Sequence, residues 1–136
     1  MADERSTEDA RTVYEALGGM PFFEELVDRF YDGVAADDVL LALYPQPGNL
    51  AAARRHLALF LAQYWGGPPE YSELRGHPAL RMRHAPFAIG VEARDRWLTH
   101  MRAALAAMDP EPGAARAFEE YLAMAADALR NVDDRD

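Results

Sequence analysis

Cysteine is absent from the 136 residues. That excludes disulfides, thiolate nucleophiles, zinc–thiolate sites and iron–sulfur clusters. His, Met, Tyr and carboxylates remain as metal ligands. A basic excess is lacking too. Lys and Arg number 14 against 23 Asp and Glu, for a net charge of −9 and a pI near 4.8. Nucleic-acid binders usually carry a basic face. Here the arginines are scattered among carboxylates, with one local cluster near His84, so no nucleic-acid partner is expected. No apolar run is long enough to span a bilayer. The opening MADERSTEDAR has no apolar core for a signal peptide. A cytoplasmic protein without a membrane span is the expectation. Serine is sparse, and neither G-x-S-x-G nor G-x-x-x-x-G-K-[ST] occurs, which leaves hydrolase and P-loop readings without a motif. Period-two alternation, internal repeats and low-complexity blocks are also missing. A chain of this size favours one domain and can bury roughly 68% of its unfolded surface without staples.

What is present is helical. Residues 1–11 are charged and lack apolar periodicity, which reads as a flexible arm. Val13 to Leu17 makes a short apolar segment, broken by Gly18-Gly19. Pro21 sits at a first helical position. After it, Phe23, Leu26, Val27, Phe30, Tyr31 and Val34 recur at three- and four-residue spacing, predicting a helix to about Ala36. Asp37-Asp38 can cap a short helix from Val39 to Leu43. Asn49 can cap the next, whose stripe is Leu50, Ala53, Leu57, Phe60, Leu61 and Tyr64. Trp65-Gly66-Gly67-Pro68-Pro69 ends it. Tyr71 to Arg75 suits a single turn. Gly90 lets a helix begin that runs to Met108, with Trp97, Leu98, Met101, Ala104 and Leu105 inward. Residues 109–113 read as a loop. A last helix is expected from Ala114 to Asn131, with Phe118, Tyr121, Leu122, Ala125 and Leu129 facing in, then a charged tail at 133–136. The prediction is an all-α domain over 12–132 with four longer helices and several short ones. The segment from Trp65 to Gly90 has little periodicity, and unsupported stretches of that length are uncommon. A bound cofactor is one way to hold it.

Of four histidines, His56, His77, His84 and His100, none forms an H-x-x-x-H pair, and Glu119-Glu120 lack a matching E-x-x-H. His84 stands out. Pro86 stops a regular helix just after it, and Leu80, Met82, Phe87 and Ile89 flank it with apolar side chains. A histidine at a frayed helix end over an apolar hollow suits a haem-iron ligand. Leu57, Phe60, Met82, Phe87 and Trp97 could line the slot. Arg81 and Arg83 could meet the propionates, with Tyr71 as a hydroxyl donor. Equally, His84 reads as a satisfied loop histidine, Arg81 and Arg83 as a solvated face, and Tyr31 as a core tyrosine bonded to a carbonyl.

Ordered markers decide between these readings. They are Gly18-Gly19, Arg29-Phe30-Tyr31, Leu43-Tyr44-Pro45, the run from Phe60 to Pro68, Tyr71-Ser72-Glu73, Arg75-Gly76-His77-Pro78, the run from Leu80 to Phe87, and Arg94 to Leu98. Together they resemble the truncated haemoglobins, most closely group II, from about Val13 to Asn131. The resemblance implies a truncated globin fold, a two-over-two helical sandwich around haem b. It implies His84 as the proximal iron ligand and Tyr31, Tyr44 and Trp97 as distal hydrogen-bond donors. Ala53 matches a small distal residue and Leu57 the apolar residue one turn on. Phe60, Tyr71, Arg81, Met82, Arg83 and Phe87 are the expected cofactor contacts. The nitrogen of His84 that does not bind iron should donate to a backbone carbonyl.

Two departures from the pattern stand out. Gln46-Pro47-Gly48-Asn49 is irregular and carries no acidic pair. His56 stands where a longer basic side chain is expected, and reads as a solvated helix residue. The function implied is binding of O2 and other diatomic ligands at ferrous iron. The alternative is a redox enzyme, a nitric oxide dioxygenase or a peroxidase-like protein fed by an external reductase. A third reading is a cofactor-free helical interaction module. A homodimer is compatible with the sequence.

Overall fold

The structure is a computed structural model that describes residues 12–44 and 46–132, so the expected arm at 1–11 and tail at 133–136 lie outside the described residues. Eight helices form there: α1 (Val13–Leu17), α2 (Met20–Ala35), α3 (Asp38–Leu41), α4 (Ala51–Tyr64), α5 (Glu70–Arg75), α6 (Leu80–His84), α7 (Val91–Met108) and α8 (Pro112–Ala128). The described residues are otherwise turns and loops, so the all-α expectation holds.

Local chemistry sets the starts. Thr12 accepts from the Glu15 N–H at 3.1 Å while Glu15 accepts from the Thr12 N–H at 3.1 Å, a reciprocal cap on α1. Between α1 and α2 the chain passes through φ of +123° at Gly18 and +75° at Gly19, a reversal that side chains resist. Asp37 caps α3 through Val39 and Leu40, as its place in the sequence predicts. Several boundaries differ from expectation. Asn49 Oδ1 does accept from Ala51 N at 3.2 Å, but Leu50 is the residue that enters α4. Pro112 and Gly113 are not loop but the first residues of α8. The Glu111 carboxylate takes the Gly113 and Ala114 N–H groups at 2.9 and 2.7 Å, and Pro112 needs no such partner. The far end of α8 stops at Ala128 rather than Asn131.

Packing follows from the stripes. α2 buries Phe22, Phe23, Leu26, Val27, Phe30, Tyr31 and Val34, and lies against both α4 and α7. α7 and α8 pair in turn. Phe23 is fully enclosed, stacked on Tyr14 at 5.6 Å and tilted against Phe118 at 5.9 Å between ring centroids. Removing a phenyl from such a site costs about 3–5 kcal/mol.

The stretch from Trp65 to Gly90 is tied down by three polar clamps of the chain itself, as well as by α5 and α6. Gln63 bonds Ser72 twice, through its hydroxyl at 2.7 Å and its N–H at 2.9 Å. Arg83 donates to the carbonyls of Pro78 (2.7 Å), Arg75 (2.9 Å) and His77 (3.4 Å). Asn131 accepts from Ile89 N at 2.8 Å and donates to Phe87 O at 2.7 Å and His84 O at 3.3 Å. That last clamp fastens the segment after α6 to the end of α8.

Candidate haem site

His84 is the last residue of α6. Its Nδ1 lies 2.7 Å from Leu80 O, one turn back. A carbonyl only accepts, so Nδ1 carries a hydrogen, and the tautomer this sets leaves Nε2 as the nitrogen that can bind a metal. This is the expected backbone contact, and it fixes the tautomer a metal ligand needs. The ring is half-buried and forms part of the wall of a cavity.

That cavity gathers residues from most of the chain. Leu80, His84, Phe87 and Ile89 come from α6 and the loop after it, Leu57 and Phe60 from α4, and Tyr31 from α2. Tyr44 follows α3, Trp97 is on α7, and Tyr121, Leu122 and Ala125 are on α8. The lining is mainly aliphatic and aromatic, with few polar groups.

The donors are the exceptions. The Tyr31 and Tyr44 rings meet edge-on with centroids 5.6 Å apart, and Phe30 meets Trp97 edge-on at 5.1 Å. The Arg54 guanidinium lies over the Tyr31 ring, 5.7 Å from its centroid, while bonded to Asp28 and Asp32. Burial pushes the Tyr31 phenol far up, and Tyr44 pushes it further, against a smaller opposing pull from Arg54. Burial also raises Tyr44, and its interaction with Tyr31 partly offsets this. Both phenols stay protonated across the physiological range. Burial, then Tyr64, pushes Tyr121 up to about 12.

The structure brings His84, Tyr31, Tyr44, Trp97, Leu57, Phe60 and Phe87 to one cavity. Others stand apart. Ala53 packs against the core away from the cavity wall. Tyr71 is buried, with its ring edge-on to Phe60 at 5.5 Å and Arg83 over its face at 6.0 Å. Met82 is 73% exposed and points away from the slot. Arg83 spends its donors on loop carbonyls. The Arg81 side chain lies outside the described residues. His56 is more than a solvated residue, because its Nδ1 accepts from Arg75 at 2.7 Å. Partial burial, then Arg75, Arg55 and Arg83, hold its pKa below the ordinary histidine value. The cavity also includes Arg94, paired with Asp95 and Asp127. Sequence reasoning did not assign Arg94 or the α8 face to the site. Tyr121, Leu122, Ala125 and Leu129 sit in the inward stripe of α8, and spacing does not separate a core wall from a cavity wall.

Haem fits this donor set. A histidine with its hydrogen directed at a carbonyl presents a free nitrogen into an apolar cleft, and polar donors are held in the same cleft.

Comparisons with known proteins identify the family. The model of the bacterial-like globins matches residues 12–131. The group 2 truncated hemoglobin YjbI of Bacillus subtilis is 45% identical over 92 residues, covering 68% of this chain and 67% of that protein. The group 2 truncated hemoglobin 3-1 of Lotus japonicus is 39% identical over 71% of this chain but only 58% of its own length. Among solved structures, a thermostable hemoglobin from Thermobifida fusca superposes with a TM-score of 0.87 at 55% identity, covering 90% of this chain and 98% of that one. The group II truncated hemoglobin of Bacillus anthracis gives 0.86 at 36% identity, covering 90% and 98%. The fold, the matched family and the cleft around His84 agree, and the chain belongs to the bacterial-like globins, as a group II truncated haemoglobin whose cofactor is haem.

Proposed function

We propose that the chain binds O2 and other diatomic ligands reversibly, with His84 holding the iron and Tyr31, Tyr44 and Trp97 serving as donors to the ligand. The observation that carries this is the shared cavity. One imidazole with its Nδ1 hydrogen locked on Leu80 O and three O–H or N–H donors line the same cleft. When bound, haem supplies a ferrous iron with a coordination position for a diatomic molecule.

The residues of the chain do the rest. Leu57, Phe60 and Phe87 keep water out, so a donor in the cleft acts at low effective dielectric. Tyr31 and Tyr44, whose rings meet edge-on in the cleft, bring two O–H groups to one ligand, where their hydrogen bonds are stronger than in water. Such bonds favour ligands whose outer atom gains negative charge, so O2 gains more than CO. Each neutral bond is worth about 1 kcal/mol, and about 1.4 kcal/mol slows escape tenfold. The name of a solved relative, the truncated oxygen-avid haemoglobin of Bacillus subtilis, supports the same reading; it superposes at a TM-score of 0.83 with 37% identity.

Absorption and resonance Raman spectra of the reconstituted protein test it. A Soret band, an iron–histidine stretch and an oxy form sensitive to Tyr→Phe changes are expected. A reconstituted protein without a Soret band, or an iron–histidine stretch that survives in His84→Ala, would sink it.

A further inference from the structure

Asp37 is the only charged residue that is buried among the described residues, at 8% exposure. Its contacts reach three elements. Its N–H donates to Val34 O at 2.9 Å, at the end of α2. Its Oδ1 accepts from the Val39 and Leu40 N–H groups at 3.1 and 3.2 Å, at the start of α3. The same oxygen accepts from Arg96 at 3.2 Å, and Oδ2 accepts from His100 Nε2 at 2.8 Å, both on α7.

Those three elements carry the three pocket donors. Tyr31 is on the last turns of α2, Tyr44 lies three residues past α3, and Trp97 sits on α7 between Arg96 and His100. The fit is close on the α2 side. A Cβ at Gly33 would lie 2.5 Å from His100 Nδ1 and 3.1 Å from its Cγ, so the imidazole occupies the space a side chain would need there. Only glycine lets α2 approach α7 here while the ring still reaches Asp37. Arg96 is shared with Glu92, at 3.2 Å.

We propose that Asp37, with His100 and Arg96, is the positioning node of the ligand pocket, setting Trp97 against Tyr31 and Tyr44. The inference rests on the reading of those three as ligand donors. A capping carboxylate needs only the α3 N–H groups. The added bonds to α7 cross the groove between α3 and α7 and fix the spacing of the donors. Hydrogen bonds weaken steeply with misalignment, so a small slip of α7 is felt at the ligand. Burial works to raise the Asp37 carboxyl, but His100, the Leu40 N–H and Arg96 outweigh it and hold it below its ordinary value, so it is ionised at neutral pH.

The test compares the infrared C–O stretching band and the O2 dissociation rate of holoprotein variants, with thermal stability measured alongside. His100→Leu removes the donor. Gly33→Ala pushes the ring off Asp37 from the opposite side while favouring helix. His100→Gln keeps an N–H that reaches the same carboxylate. The first two should shift or split the band and speed O2 release by about threefold or more. The double variant should do no more than His100→Leu alone, and His100→Gln should match wild type. A purely structural cap would lower stability and leave band and rate unmoved, which overturns the proposal. A His100→Gln variant that behaves like His100→Leu overturns it as well. Should His100→Leu fail to hold haem, Gly33→Ala alone decides. Tyr31→Phe separates the two levels. If it too leaves the band unmoved, the donor reading itself fails; if it shifts the band while Gly33→Ala does not, the node fails alone.

Discussion

The two phenols allow a thermodynamic cycle with a defined outcome. Tyr31 is 4% exposed, and its ring is held by Tyr44 at its edge and Arg54 over its face. Tyr→Phe at either position keeps the ring packing and removes one hydroxyl. In Tyr31→Phe, the Tyr44 O–H remains in the cleft. In Tyr44→Phe, the Tyr31 O–H remains in the cleft. Each single variant therefore retains one competent donor. The double variant retains neither. Two neutral donors together contribute about 1–3 kcal/mol to a ligand that gains charge, so O2 release from the double variant should be about five- to 150-fold faster. The single variants should each fall well short of the square root of that factor. Stopped-flow displacement of O2 by CO measures all four rates. CO release itself should change far less. Singles whose effects multiply to the double would refute the pairing of the hydroxyls, since independent donors add. A double variant that releases O2 at the wild-type rate would refute the claim that either hydroxyl faces the ligand.

Further outcomes follow from the same geometry. Haem at about one hundred times its dissociation constant should stabilise the fold by about 2.7 kcal/mol, a rise of roughly 10 °C in melting temperature that His84→Ala should largely abolish in calorimetry. Asp37 has a folded pKa below its unfolded value near 3.8, so the carboxylate contributes stability above that pH and loses it as pH falls through the folded value. Urea midpoints measured from pH 6 to pH 2.5 should therefore show an acid-limb loss in wild type that is diminished in Asp37→Asn. Met82, at 73% exposure, should tolerate Met82→Gln within about 0.5 kcal/mol, whereas Phe87→Ala, in the cavity wall, should speed haem transfer to an apo-globin acceptor.

What could be read from the sequence, and what could not, divides by the range of the interaction. The apolar stripes of α2, α4, α7 and α8 repeat at helical spacing, so those helices and their buried faces were legible. Short-range polar chemistry was legible as well: Asp37 sits where a cap should be, and the His84 imidazole reaches a carbonyl only four residues back. Pro112 and Gly113 were misread because Pro-Gly usually marks a turn, and the Glu111 carboxylate that turns them into a first helical turn is one neighbour among several acids. The segment from Trp65 to Gly90 resisted because what holds it is not periodic. Asn131 reaches 42 residues back to Ile89 and 47 to His84, and nothing in a lone asparagine announces that. Met82 and Phe87 looked alike as apolar neighbours of His84, yet one is exposed and the other lines the cleft. Met82 stands two positions before His84 on the five-residue helix, about 200° around its axis, whereas Phe87 lies beyond the helix, after Pro86. Family resemblance selected the donors Tyr31, Tyr44 and Trp97 because each recurs in a local pattern. The contacts that set their spacing did not recur locally. Arg96 and His100 meet Asp37 across 59 and 63 residues, and the glycine that admits the ring, Gly33, looks in the sequence like a weak spot in a helix. Function in this fold is therefore legible where a side chain acts through its own neighbours. It is hidden where long side chains join distant helices, and that is where the geometry of the pocket is decided.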